Sequence, residues 1–151
     1  MNSTQYGTFP ECNDDRVAIL KALSHKYELS PRVDLAAFVK QHDLGKVFGP
    51  SQGFELPSQD TVGPDAAFVS WERWRAGPAP QVDKFLAIVP DLIVEVVSPG
   101  TGMRDRGEKK AIYERNGVRE YWLVDPRVGT VRRFVLNGER YDLGADFGLD
   151  D

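Results

Sequence analysis

Inside the apolar run "LIVEVV" (residues 92–97) stands a single acid, Glu95. An unpaired carboxylate in such surroundings is expensive to bury, so it is expected to be paired, protonated or bound to a metal. Asp65, in "GPDAAFVS", stands at the mouth of a second apolar stretch and is a candidate partner. Two adjacent carboxylates repel, and one takes up a proton unless a cation lies between them. Oxygen ligands on a rigid sheet suit Mg²⁺ or Mn²⁺, with water completing the coordination.

A third residue extends the pattern. In the segment after "LIVEVV", Lys109, Ile112, Tyr113 and Asn116 fall on one helical face by the i, i+3, i+4, i+7 rule. That face carries the helix's large apolar residues, so it should pack on the sheet and bring Lys109 with it. Lys110, next door, points elsewhere and reads as surface. A divalent ion held by two carboxylates, with an ammonium beside it, suits phosphodiester hydrolysis. The ion would polarise the phosphate and acidify a water, while the lysine would stabilise developing negative charge or position the water. Spacing alone leaves two other readings open. Lys109 can snorkel to solvent over a buried stem, or it can form a structural salt bridge with the two acids and no metal.

These side chains need a scaffold, and the chain supplies its signals. Residues 14–29 and 31–45 read as helices, the second with Ser30 as cap, Pro31 in the first turn and Gly45 after the last. "KVFGPSQGFEL" suggests two short strands joined by a loop, and Ala66 to Val69 form the body of another. "ERWRAGPAPQVDKF" reads as a surface connection, with Trp71 and Trp74 either stacking on bases or covering a sheet edge. "LIVEVV" is apolar on both faces, as central strands are. Strand alternation points Ile93, Glu95 and Val97 one way and Leu92, Val94 and Val96 the other. A helix follows, with Asp105 and Glu108 spaced as a capping box and Gly117 as its stop. "EYWLVD" is a second apolar strand. A hairpin is centred on Asn137-Gly138, and residues 144–151 read as a frayed tail. The order predicts an α/β (mixed α+β) fold, a mixed sheet flanked by helices, with a βαβ crossover that makes one strand pair parallel.

The whole-chain quantities agree with one soluble domain. There are 151 residues, 41% hydrophobic and 28% charged, and no apolar run approaches the ~20 residues of a membrane span. The N-terminus lacks the basic start and apolar core of a signal peptide, so cytoplasmic residence is the default. Cys12 is the one cysteine, and with His25 and His42 alone beside it a zinc centre is not expected. A net charge of −4 argues against non-specific coating of nucleic acid but leaves room for a local basic cleft. Arg104, Arg106, Lys109, Lys110, Arg115 and Arg119 mark such a stretch, or else a solvated helix face laced with opposite charges.

"PDLIVEVVSPGTGMRDRGEKKAIYERNGVREYWLVDP", together with "KVFGPSQGFELPSQDTVGPDAAFVS" upstream, resembles the Uma-two family of restriction-endonuclease-like proteins. The resemblance covers roughly residues 30–136 and rests on several spaced motifs in one order. It implies the PD-(D/E)XK nuclease fold and a Mg²⁺- or Mn²⁺-dependent enzyme acting on DNA. Asp65 and Glu95 would be the metal ligands, with the Val96 carbonyl as a further one, and Lys109 the catalytic lysine. Arg73, Arg75, Arg104 and Arg106 are candidate contacts to backbone phosphates. The superfamily motif usually places its lysine two residues after the acid, where this chain has Val97; in proteins resembling this one the following helix supplies it. Residues 1–29 form an arm and helix that depart from the family, 30–143 the nuclease-like domain, and 144–151 the tail. Missing outer strands would leave an edge open to a second copy. The rival from another class is a catalytically silent binding or assembly module on the same scaffold.

Overall fold

The computed structural model of the protein describes residues 39–97, 102–125 and 127–148, with 102–106 and 145–148 described by backbone alone. The expected arm and helix over 1–29 lie outside the described residues, and of the helix expected over 31–45 only residues 39–42 are described as helical.

Eight strands follow: β1 (Gly45–Phe48), β2 (Phe54–Glu55), β3 (Thr61–Val62), β4 (Ala66–Ser70), β5 (Leu92–Val96), β6 (Glu120–Asp125), β7 (Thr130–Asn137) and β8 (Arg140–Gly148). Two helices interrupt them, α1 (Trp71–Ala76) and α2 (Gly102–Arg115). Six strands make one sheet in the order β1-β4-β5-β6-β7-β8, and β2 and β3 make a separate hairpin. Only β5 and β6 run parallel among these pairs, with Leu92 opposite Glu120 and Glu95 opposite Leu123. The crossover between them carries α2, as a βαβ unit requires. This is the mixed sheet with helices that the sequence predicts.

The centre of the sheet is apolar on both faces. Leu92 and Val94 pack with Phe68, Trp122 and Val124 on one side, closed by Val39. Ile93 and Val97 lie on the other side with Tyr113, Tyr121 and Tyr141. Tyr113 comes from α2, so α2 covers the face that also carries Glu95.

Several local expectations shift. The stretch expected as a surface connection begins with the short helix α1, because the Ser70 hydroxyl caps it by accepting from the Arg73 N–H at 3.2 Å. Trp74 stacks on Phe48 at 6.1 Å, and Lys46 sits over its ring at 4.1 Å. Trp74 thus packs against β1, while Trp71 donates to Asp43, just before it, at 3.2 Å. Helix α2 starts at Gly102, one turn before the expected capping box, so Asp105 and Glu108 lie within it. Its end matches expectation. Gly117 has φ 81, and the Val118 N–H reaches the Tyr113 carbonyl while the Gly117 N–H reaches Glu114, the Schellman pattern.

The β7–β8 turn is one residue later than "NG" suggests. Asn137 pairs with Arg140, so Gly138 (φ 65) and Glu139 form the loop, with glycine in the first position as type II′ turns require. Residues 144–148 are not frayed: β8 pairs with β7 as far as Gly148 opposite Thr130, because β7 is long enough to offer partners. A close approach sets Gly45 apart, since a Cβ there would run into the Val69 carbonyl across the β1–β4 ladder.

Candidate functional site

The antiparallel β4–β5 pair sets Ala66 opposite Val94, which brings Asp65, just before β4, beside the end of β5. The two strands are interlocked there by side chains. The Asp65 N–H donates to Glu95 Oε1 at 3.2 Å, and the Val96 N–H donates to Asp65 Oδ2 at 2.7 Å. Each acid thus accepts from a backbone amide of the other strand, at a point where the strand ladder itself has ended.

From above this face, α2 adds two more groups. Lys109 Nζ lies 3.0 Å from Glu95 Oε2, and the Tyr113 hydroxyl donates to the same oxygen at 2.8 Å. Lys109 and Tyr113 are one helical turn apart, so a single face delivers both. The rest of that face is anchored as the periodicity predicts. Ile112 is packed against the core, and Asn116 bonds the Ser58 backbone N–H at 2.9 Å and hydroxyl at 2.8 Å. Lys110 is not simply solvated: its ammonium lies 4.4 Å above the Phe134 ring.

The electrostatics follow from this packing. Glu95 is 5% exposed, and burial raises its carboxyl above the ordinary 4.5, opposed by the Lys109 ammonium and the Tyr113 hydroxyl. Asp65 pushes in the same direction as burial, as a second carboxylate must. Burial, and then the neighbouring Glu95 carboxylate, push the Tyr113 hydroxyl far above the usual tyrosine range, so it remains a donor. Asp65 is half-buried and Lys109 is 36% exposed, so the cluster opens toward solvent on their side.

Two carboxylates with one ammonium match a hard divalent cation better than zinc. Among the described residues no group of three or more His, Cys, Asp or Glu converges. Mg²⁺ characteristically takes one or two carboxylates and keeps several waters. Asp65 and Glu95 therefore fit such an ion by donor chemistry.

The four arginines expected at phosphates fare differently. Arg73 is spent inside the fold. Its Nη1 donates to the carbonyls of Val89 and Pro90, both at 3.1 Å, and its Nη2 to Gly117 at 3.2 Å. Its Nε faces Asp91 Oδ1 at 3.2 Å. Asp91 lies just before β5 and four residues before Glu95, so about 13 Å separates this cluster from the candidate site. Arg75, on the same short helix, packs its guanidinium 5.5 Å from the Trp71 ring. Neither is brought to Asp65 and Glu95. The side chains of Arg104 and Arg106 lie outside the described residues.

Two features escaped the sequence. Tyr113 reads there only as an inward aromatic, although its spacing from Lys109 is the available signal. Asp91 is another buried acid, 1% exposed, just before the other end of the same strand. Its Oδ2 accepts from the Ser70 N–H at 2.6 Å, and Oδ1 lies 3.2 Å from Arg73 and 3.8 Å from Arg119. Those two contacts are charge contacts without hydrogen-bond alignment, which leaves Oδ1 without such a bond among the described residues.

The sequence profile of Uma2, described as "Putative restriction endonuclease", matches residues 29–147. The chain belongs to the Uma2 family. This is the family resembled by the sequence, and the match runs through β8 rather than stopping at the hairpin. Among solved structures the Uma2 chain is similar to a protein from Anabaena variabilis titled a "putative nuclease belonging to DUF820". The TM-score is 0.54 at 17% identity, over 89% of this chain and 64% of that one. Such a likeness speaks for the nuclease-like fold, and the chain spans under two thirds of that protein. No functionally curated protein matches the sequence. In this Uma2 chain Val97 is 8% exposed within the core, and the cation beside Glu95 comes from α2. Among the described residues no helix is long and apolar enough to cross a membrane.

Proposed function

We propose that this Uma2 chain is a Mg²⁺- or Mn²⁺-dependent nuclease that hydrolyses phosphodiester bonds of DNA in the cytoplasm. One observation carries the reading: the carboxylates of Asp65 and Glu95 and the ammonium of Lys109 gather at one strand end. Asp65 and Glu95 would hold the ion, with the Val96 carbonyl as a backbone ligand. Bound there, it would supply a Lewis acid for the phosphate and acidify the attacking water.

The chain's own residues do the remainder. Lys109 presents a positive charge beside the two acids, so a phosphate placed there gains a partner for the charge that develops on its oxygens. Glu95 holds that ammonium by its Oε2, which fixes where the charge sits. Arg104 and Arg106 stand on the early turns of α2 and remain the candidates for backbone-phosphate contacts. Pairing of the β8 edge with a second copy is the form dimerisation would take.

Incubation with plasmid and single-stranded DNA plus Mg²⁺ or Mn²⁺ tests the reading. Cleavage that disappears in Lys109→Ala supports it, and activity equal to that variant's removes it. A second reading has its own support. The Lys109–Glu95 pair, reinforced by Tyr113, satisfies the acid without any ion, as a catalytically silent scaffold would. That reading expects no Mn²⁺ binding that depends on Asp65 and Glu95, which calorimetry measures directly.

A further inference from the structure

A carboxylate offers about four lone-pair positions. In Glu95 three are in use among the described residues: two on Oε2, toward Lys109 and Tyr113, and one on Oε1, toward the Asp65 N–H. The open position is thus on Oε1, the oxygen that faces Asp65. What decides this division is Tyr113. Lys109 is a long, partly exposed side chain with many rotamers, whereas the Tyr113 ring is fully buried and wedged against Tyr121 at 5.2 Å. A rigid ring places its hydroxyl without further loss of conformational freedom.

We propose that Tyr113 is a positioning residue: its hydroxyl pins Glu95 Oε2 beside Lys109 and so presents Oε1 toward Asp65 as the oxygen that meets a divalent cation. The inference rests on the metal-binding reading above and deepens it. Outer partners of a ligating carboxylate act on metal affinity through its orientation, and their loss typically costs 10–100-fold. Tyr113 also explains why the acid survives in an apolar strand: it supplies a neutral donor that remains in place whatever Lys109 does. When Lys109 turns to a phosphate, Glu95 keeps a bond on Oε2 and does not swing away.

The test uses Tyr113→Phe, which deletes one oxygen and keeps the ring in its core position. Tyr141→Phe is the control. It removes another hydroxyl from the same cluster, one that donates to the Val118 carbonyl at 2.6 Å and does not touch Glu95. Thermal melting verifies that each variant folds. Mn²⁺ titration calorimetry is expected to show about tenfold weaker binding for Tyr113→Phe and wild-type affinity for Tyr141→Phe. A metal-free crystal structure of Tyr113→Phe is expected to show Glu95 Oε1 withdrawn from the Asp65 N–H. Unchanged Mn²⁺ affinity in the folded variant, or a Glu95 carboxylate left in place, overturns the proposal. If the wild type binds no Mn²⁺, the metal reading falls by itself. The position of Glu95 in the variant crystal then still decides whether Tyr113 positions it.

Discussion

Lys109 Nζ lies 3.0 Å from Glu95 Oε2, a bridge from the helix α2 to the strand β5 beneath it. The contact ties the one acid in an apolar strand to a cation fourteen residues later in the sequence. On the proposed function, loss of Lys109 should separate chemistry from metal binding. Lys109→Met keeps the buried stem and removes the charge. Cleavage of supercoiled plasmid is expected to fall about 10²–10³-fold, the usual cost of one group that stabilises transition-state charge. Mn²⁺ binding should survive, because both carboxylates remain.

A cation bound at Glu95 as proposed should show pH-dependent affinity. Burial, the largest influence, lifts its carboxyl above 4.5, while Lys109 and Tyr113 pull the other way. The raised group stabilises the metal-free fold fully below about 4.5, and that contribution is lost as pH rises through the folded value. A cation needs the ionised form, so protons compete with it at higher pH than for an ordinary glutamate. Mn²⁺ affinity is therefore expected to climb as pH rises above 4.5 and to level off once Glu95 is ionised. Calorimetry at several pH values, in buffers of different ionisation enthalpy, should record proton release on the climbing limb. Glu95→Gln should flatten the profile and weaken binding throughout.

Arg73 should behave as a strut. Its guanidinium bonds three carbonyls and faces the buried Asp91, so Arg73→Ala leaves an acid without its main partner. Breaking such a pair typically costs 3–5 kcal/mol. Urea unfolding is expected to show a loss of about that size. At temperatures where the variant is folded, its Mn²⁺ affinity should equal the wild type's, since the cluster sits at the far end of β5. A variant of wild-type stability would contradict this assignment.

Much of this was legible because periodicity reports facing. Alternation in "LIVEVV" put Glu95 and Val97 on the same side, and helical spacing put Lys109 above them; neither depends on knowing the rest of the fold. What the sequence hid depends on distance across elements. Asp91 stands before a strand like many surface acids, and its burial follows from Arg73 on α1 and Arg119 before β6 closing over it. The short helix α1 was hidden because its start depends on one capping hydroxyl, Ser70, rather than on a repeated apolar pattern. Helical spacing from Lys109 turns Tyr113 inward, but the target of its hydroxyl is set by the height of α2 above the sheet.

That height poses a final question, whether the cation must come from the helix. Val97 lies two residues after Glu95 on the same face, about 6.6 Å along the strand, and is 8% exposed beside Tyr113. A lysine there has a stem long enough to turn back to Glu95. Placing it costs stability, because the stem displaces core atoms and the ammonium is desolvated, by about 1–3 kcal/mol for the overpacking alone. The double variant Val97→Lys, Lys109→Ala is expected to melt lower than Lys109→Ala and to cleave plasmid faster than it, without regaining the wild-type rate. The shortfall would arise because a strand lysine approaches Glu95 from below Tyr113, whereas Lys109 approaches from the half-open side. A folded double variant that binds Mn²⁺ normally and cleaves no better than Lys109→Ala would mean that the direction of the ammonium, and not its nearness to the acids, is what the site requires.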